Sequence, residues 1–260
     1  MSSEQTFLAI SVGNTRSSIA KIQSGSVDDP TSFNSSESTE IVEHALQCWN
    51  DLDDENPQII MATTNEIAGK TITQALADQT SRDIWQIGDD IPPAIGQHLD
   101  PETITGVDRL LTASAAWDRF QQACVIVDAG TCVTVDFVDG EGTFHGGSIA
   151  PGARMQLIAM HQGTFALPEV EFERPLREAF GKNTAQAMLQ GVYHGIRGMV
   201  RQLTEQYSIR YGAYPSIVAT GGDAEILFRD DEIIEQIIPE LQLQGIAVSV
   251  LHTMTVEDNG

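Results

Sequence analysis

Short stretches of this 260-residue chain carry residue types suited to handling a phosphate and a hydroxyl. One is Gly106-Val107-Asp108-Arg109, which runs into the alanine-rich stretch Leu110 to Trp117. A carboxylate beside a guanidinium can divide the labour of phosphoryl transfer, with Asp108 accepting the proton of an attacking hydroxyl while Arg109 holds an anionic end of the acceptor. Asp108 equally suits a helix N-cap, where it would satisfy orphan N–H groups and leave Arg109 solvated. Two further stretches, Ser11-Val12-Gly13-Asn14-Thr15 and Asp128-Ala129-Gly130-Thr131, each lead a strand into a Gly and Thr turn. Glycine lets backbone N–H groups approach phosphate oxygens, and Thr and Ser hydroxyls add donors without bulk. A single turn of this kind is explained as well by a plain hairpin. Two of them, followed by Thr220-Gly221-Gly222, favour a nucleotide site.

The turns need strands to deliver them. Phe7 to Val12 and Ser17 to Ile22 read as a hairpin, and residues 24 to 40 as a loose connection or exposed edge. Ile41 to Leu52 and Ala68 to Gln79 have helical spacing, and Gln58 to Ala62 and Ile84 to Ile87 read as strands. Cys124 to Asp128, Val133 to Val138 and Thr143 to Ile149 repeat the opening pattern, and Ser216 to Ala219 leads through the later glycine turn into a helix over Asp223 to Phe228. The repeat implies an internal duplication. The expected architecture is α/β, two related domains with mixed sheets flanked by helices, over residues 1–120 and 121–260. After Gly181-Lys182-Asn183-Thr184, the series Met188, Val192, Ile196, Met199 and Leu203 predicts a helix, with Asn183 and Gln186 as an N-terminal capping pair. Gly191, Gly195 and Gly198 give it a small-residue face for close helix contact, between two copies or within one.

Composition narrows the function classes. A formal net charge of −23 argues against a nucleic-acid partner, which would be repelled over most of the surface. No apolar run approaches the roughly 20 residues that cross a bilayer, so no membrane role is expected. Cys48, Cys124 and Cys132 lack metal spacing and suit a reducing cytoplasm, and His145, His161 and His194 are scattered, so no transition metal is expected. The acidic run Asp51 to Glu55 reads as a solvated loop.

The ordered series Gly13-Asn14-Thr15, Gly106-Val107-Asp108-Arg109, Val127-Asp128-Ala129-Gly130-Thr131, Gly146-Gly147-Ser148-Ile149-Ala150-Pro151-Gly152, Gly181-Lys182-Asn183-Thr184 and Ala219-Thr220-Gly221-Gly222 resembles the type III pantothenate kinases. The resemblance spans most of the chain and is weak over residues 24 to 100. It implies the actin-like ATPase superfamily, in which two ribonuclease-H-like domains close over a nucleotide, and a homodimer in the cytoplasm. The implied reaction is ATP-dependent phosphorylation of pantothenate, with Mg²⁺ and K⁺ or NH₄⁺. Carried over by position, it implies a first ATP loop of Ser11, Val12, Gly13, Asn14, Thr15, Arg16, Ser17 and Ser18, further nucleotide contacts at Thr131, Gly221 and Gly222, and Asp108 as proton acceptor. It likewise implies pantothenate binding by Gly106, Val107, Asp108, Arg109 and Thr184, the last across a dimer interface, and a monovalent cation on Asp128.

Two positions depart from the family pattern. Ser11 stands where the first loop normally has an aspartate, and Asp128 holds the corresponding place in the second half. His98 lies near the place of a usual pocket tyrosine. Ser11 motivates an alternative, a catalytically weak ligand-sensing regulator on the same scaffold, similar to the Bvg accessory factor type.

Overall fold

The computed structural model describes residues 6–52, 54 and 57–257. Most of the Asp51 to Glu55 acidic run therefore lies at or outside the edge of the described residues. In chain order the elements are β1 (Thr6–Val12), β2 (Arg16–Gln23), β3 (Ser26–Asn34), α1 (Ser38–Asn50), β4 (Gln58–Thr63), α2 (Glu66–Thr80), β5 (Ile84–Gln86), β6 (Gly96–Gln97) and α3 (Val107–Phe120). They continue with β7 (Cys124–Ala129), β8 (Cys132–Val138), β9 (Thr143–Pro151), α4 (Ala153–Gly163), α5 (Thr184–Tyr211), β10 (Ser216–Thr220), α6 (Ala224–Phe228), β11 (Gln236–Ile237) and α7 (Leu241–Glu257). They form two compact units, one holding residues up to Gly96, Asp100–Arg119 and the chain from Glu240 onward, the other Gln97–Leu99 and Phe120–Pro239.

The first unit is built on a sheet of order β3-β2-β1-β4-β5. β1 pairs antiparallel with β2 and parallel with β4. Both faces of β1 are covered, as its nearly unbroken apolar run requires. Leu8, Ile10 and Val12 pack with Ile41 and Ala45 of α1 and Ile72 and Leu76 of α2. The alternate residues Phe7 and Ala9 pack with Leu111 of α3 and with Leu243, Ile246 and Val250 of α7. Residues 24 to 40 include an exposed edge strand, β3, where Asp28, Asp29 and Pro30 blunt further pairing. At Gly245 of α7 a β-carbon would collide with the Leu111 carbonyl, so the two helices approach backbone to backbone.

The second unit repeats the plan in a sheet of order β11-β10-β7-β8-β9-β6. β7 pairs antiparallel with β8 and parallel with β10, as β1 does with β2 and β4. One face of this sheet, through Val125, Val127, Val133 and Val135, packs on Leu157 of α4, Val192 and Ile196 of α5 and Leu227 of α6. The chain does not divide into the two contiguous domains 1–120 and 121–260. The break after Arg119 lies beside the expected one, but α7 packs into the first unit because its Leu243, Ile246 and Val250 complete the core beneath β1. No described helix is long and apolar enough to cross a membrane.

Candidate functional site

In the first unit, β1 ends at a turn closed by a hydrogen bond from the Gly13 N–H to the Arg16 carbonyl, 3.0 Å. Asn14, Thr15 and Arg16 are exposed, whereas Ser11, Val12 and Ser17 are buried. Ser17 Oγ lies 2.9 Å from Ser35 Oγ, and Ser18 Oγ lies 2.9 Å from Ser32 Oγ on β3. The part of the expected Ser11 to Ser18 loop that faces outward is thus Asn14 to Arg16. Strand alternation turns Ser11 toward the sheet face that carries α3 and α7, and its hydroxyl donates to Gln242 Oε1 of α7 at 2.7 Å. Gln242 had no signal in the sequence, because α7 itself was not foreseen.

Asp108 is the second residue of α3, inside the helix rather than at its cap. Its Oδ1 accepts the Arg109 backbone N–H at 2.9 Å, a donor shared with the Gly106 carbonyl at 3.2 Å. The carboxyl is part-buried, and burial raises its pKa, opposed by the Arg109 N–H and the Arg109 charge. A raised carboxyl pKa suits a group that must take up a proton. A β-carbon at Gly106 would sit 3.6 Å from Asp108 Cγ and nearer still to Oδ1, so only glycine leaves that oxygen uncrowded. The cap alternative is therefore met in part: Asp108 serves the helix start and still presents a perturbed carboxyl.

In the second unit, Asp128 occupies the strand position that Ser11 occupies in the first. Asp128 is opposite Thr134 and beside Thr220, as Ser11 is opposite Ser18 and beside Ala62. Two other chain segments close on the turn that follows. Gly152 donates its N–H to the Thr131 carbonyl at 3.0 Å, and a β-carbon there would collide with the Gly130 and Thr131 carbonyls. Gly221, at φ 91°, lies so close that a β-carbon would strike Asp128 Oδ1 and the Ala129 carbonyl. Asp223, next after Gly222, donates its N–H to the Ala129 carbonyl at 2.9 Å. The structure thus brings Asp128, Thr131, Gly221 and Gly222 together.

Sequence reasoning missed Arg154 here. It is the second residue of α4, forms an ion pair with Asp223 and lies with its guanidinium carbon 5.8 Å from the centre of the Phe172 ring. It follows the Gly146 to Gly152 motif by two residues, and its partner is 69 residues away, so no local pattern could announce it.

Thr184 is the exposed first residue of α5, behind the N-cap Asn183, whose side chain accepts the Gln186 N–H at 2.9 Å. The capping expectation is met on that side, but the Gln186 side chain turns away to accept from Leu176 N–H at 3.2 Å. His98 stands against β9, donating its N–H to the Phe144 carbonyl, with its ring 5.4 Å from that of His145. Burial pushes the Cys124 thiol up to about 12, which leaves it a core residue rather than a nucleophile. No group of three or more potential metal-ligating side chains occurs among the described residues.

A family model described as type III pantothenate kinase matches residues 7–206. The chain belongs to the type III pantothenate kinase family. A type III pantothenate kinase from Rhodospirillum rubrum is 36% identical over 159 residues, covering 61% of this chain and 62% of the relative's length, so the match spans less than two thirds of that family member. Among solved structures, a Baf family protein from Campylobacter jejuni, described as a transcriptional activator, superposes with a TM-score of 0.60 at 19% identity, covering 96% of this chain and 100% of the other. The activator of the 2-hydroxyisocaproyl-CoA dehydratase from Clostridium difficile, with bound ADPNP, gives 0.54 at 13% identity over 98% and 96%. At these identities the likeness speaks for the fold alone: duplicated ribonuclease-H-like units of the actin-like ATPase type.

Proposed function

We propose that this chain acts as a cytoplasmic pantothenate kinase, transferring the γ-phosphoryl group of ATP to the primary hydroxyl of pantothenate to give 4′-phosphopantothenate for coenzyme A synthesis. The observation that carries the reading is Asp108, a part-buried carboxyl with raised pKa beside Arg109, on a rigid first helical turn of a chain in this family. As the acceptor oxygen bonds to the γ-phosphorus, its proton passes to Asp108, and ADP departs with the electrons of the broken P–O bond. Arg109, with Gly106 and Val107, is assigned to the pantothenate carboxylate, and Thr184 of a second copy to the remainder of the acceptor.

The glycine turns suit a polyphosphate. The places closed to any β-carbon at Gly152 and Gly221 leave backbone close to the second turn, and Asn14, Thr15 and Arg16 offer exposed donors at the first. Asp128 supplies a carboxylate for a monovalent cation, K⁺ or NH₄⁺. Mg²⁺, when bound, neutralises phosphate charge. The first turn gives it no carboxylate, since Ser11 is neutral and committed to Gln242, so its protein contacts there would be neutral oxygens alone.

We assign the homodimer contact to α5 and α4. A β-carbon at Gly191, Gly195 or Gly198 would meet nothing within 4 Å, and an apolar groove of about 520 Å³ is lined by Gly191 with Met155, Met160, Met188 and Val192. Exposed Ile149 and Ile158 extend the surface.

Purified protein incubated with ATP, Mg²⁺, K⁺ and pantothenate should form phosphopantothenate. A yield no higher than that of Asp108→Asn eliminates the kinase reading. The neutral Ser11 is the observation that favours the regulator alternative, and the same assay decides between them.

A further inference from the structure

We infer that Arg154, oriented by Asp223, binds the phosphates of the nucleotide at the second glycine turn, an assignment that rests on the nucleotide reading of that turn. Each end of this ion pair is tied to the turn through backbone. Arg154 follows Gly152 by two residues, and Gly152 donates to the Thr131 carbonyl. Asp223 donates to the Ala129 carbonyl. The backbone leading to both residues is thereby held against Ala129-Gly130-Thr131.

The pair is lopsided, as Arg201 on Asp231 also is, and what sets it apart is its place beside the second glycine turn. The Asp223 side chain is 3% exposed and that of Arg154 is 58% exposed. Nη1 alone reaches Asp223 Oδ1, and Asp223 Oδ2 is buried with no hydrogen-bond partner among the described residues. Arginine and carboxylate frequently meet through the two-pronged fork. Here a single prong is fixed from below, the Phe172 ring flanks the group, and the remaining N–H donors of the guanidinium are left for a ligand. A buried carboxylate that holds an exposed guanidinium in one orientation removes the cost of ordering it when an anion arrives.

Charge supplies the second argument. A chain of net charge −23 repels a polyphosphate at long range, so a nucleotide needs a local cation to dock. Arg154 provides one beside the first turn of α4, whose backbone N–H groups add to it.

The test compares ATP, ADP and adenosine by titration calorimetry on wild type, Arg154→Ala and Arg154→Lys, with pantothenate phosphorylation measured alongside. Arg154→Ala is expected to weaken ATP and ADP by about ten- to a hundredfold, the loss typical of a hydrogen bond to a charged group, and to leave adenosine unchanged. Arg154→Lys should fall between, keeping the charge and losing the planar donor geometry. Equal losses for adenosine and ATP, or no loss for either, overturn the assignment. Should Arg154→Ala fail to fold because it strands the buried Asp223, the Arg154→Ala/Asp223→Ala pair removes both charges and must show the same selective loss. Phosphate-selective weakening in a protein that makes no phosphopantothenate would uphold Arg154 and refute the acceptor reading. An active kinase whose ATP affinity ignores Arg154 would do the reverse, and a wild type that binds no ATP overturns both.

Discussion

Ser11 and Asp128 hold the same register position in two sheets of the same pairing scheme, yet their surroundings differ. Ser11 is buried, neutral and bonded to Gln242 of a helix that returns from the far end of the chain. Asp128 is half-buried, and its carboxylate lies against Gly221 and near Gly130. Duplication therefore preserved the backbone device, a strand running into a glycine turn, while the chemistry of the two copies diverged. On the proposed reading the first turn contributes neutral donors and the second contributes charge. The base belongs to neither, because Asp108 sits on the helix that follows the first sheet.

That separation of base from cation site is the part most easily broken. Asp108→Asn should lower turnover by about 10²–10⁴, the usual worth of a positioned base, with the cation requirement of the residual activity unchanged. Asparagine can still accept the Arg109 N–H, so circular dichroism should show an intact fold. A variant that keeps near-normal turnover would leave the reaction without its base. Asp128→Ser makes the second turn like the first. It should raise the K⁺ concentration for half-maximal activity by about tenfold or more, since even outer-sphere changes at metal sites reach that size. An unaltered K⁺ response would mean that the two turns do not differ in the way proposed. Ser11→Asp, the reciprocal change, should lower the Mg²⁺ requirement a few-fold. Its cost is a carboxylate placed at a site only 2% exposed, offset if the Gln242 amide turns its NH₂ toward it. Gln242→Ala in the Ser11→Asp background should then reduce thermal stability more than Gln242→Ala alone, and equal losses would rule out that compensation.

Much of this was legible in the residues, and the limits have physical causes. β1 and β7 announce themselves because strands buried on both faces read as unbroken apolar runs. The duplication was visible because turn chemistry is local. β3 was hard to read, since an edge strand can be polar throughout and still pair through its backbone. α7 hid because it is apolar nearly all round, which gives no amphipathic period, and its place beneath β1 is decided by packing across the whole chain length. The site divides along the same line. Asp108, Asp128 and the glycine turns are short motifs, whereas Ser11 with Gln242 and Arg154 with Asp223 are pairs made only by folding.

The smallest effect expected is one of stability, and its sign opposes that of activity. Burial raises the folded-state pKa of Asp108 above its unfolded value, so the folded chain holds that proton more readily than the unfolded one. Its favourable contribution is fully present below the unfolded pKa and is lost as pH rises through the folded value. Turnover runs the other way, because a base must be ionised, so activity should climb with pH across that same window. Asp108→Asn removes the ionisation while keeping the hydrogen bond. At neutral pH it should therefore melt at the same temperature as wild type or slightly higher, and the gap should close as the medium is acidified below the ordinary carboxylate range. Ser11, which does not ionise, should not show this crossing of stability and activity. Melting curves of wild type and Asp108→Asn against pH read the difference directly. A variant less stable than wild type at neutral pH would show that the charged carboxylate holds the helix start together, and so that Asp108 is placed for the fold before it is placed for the reaction.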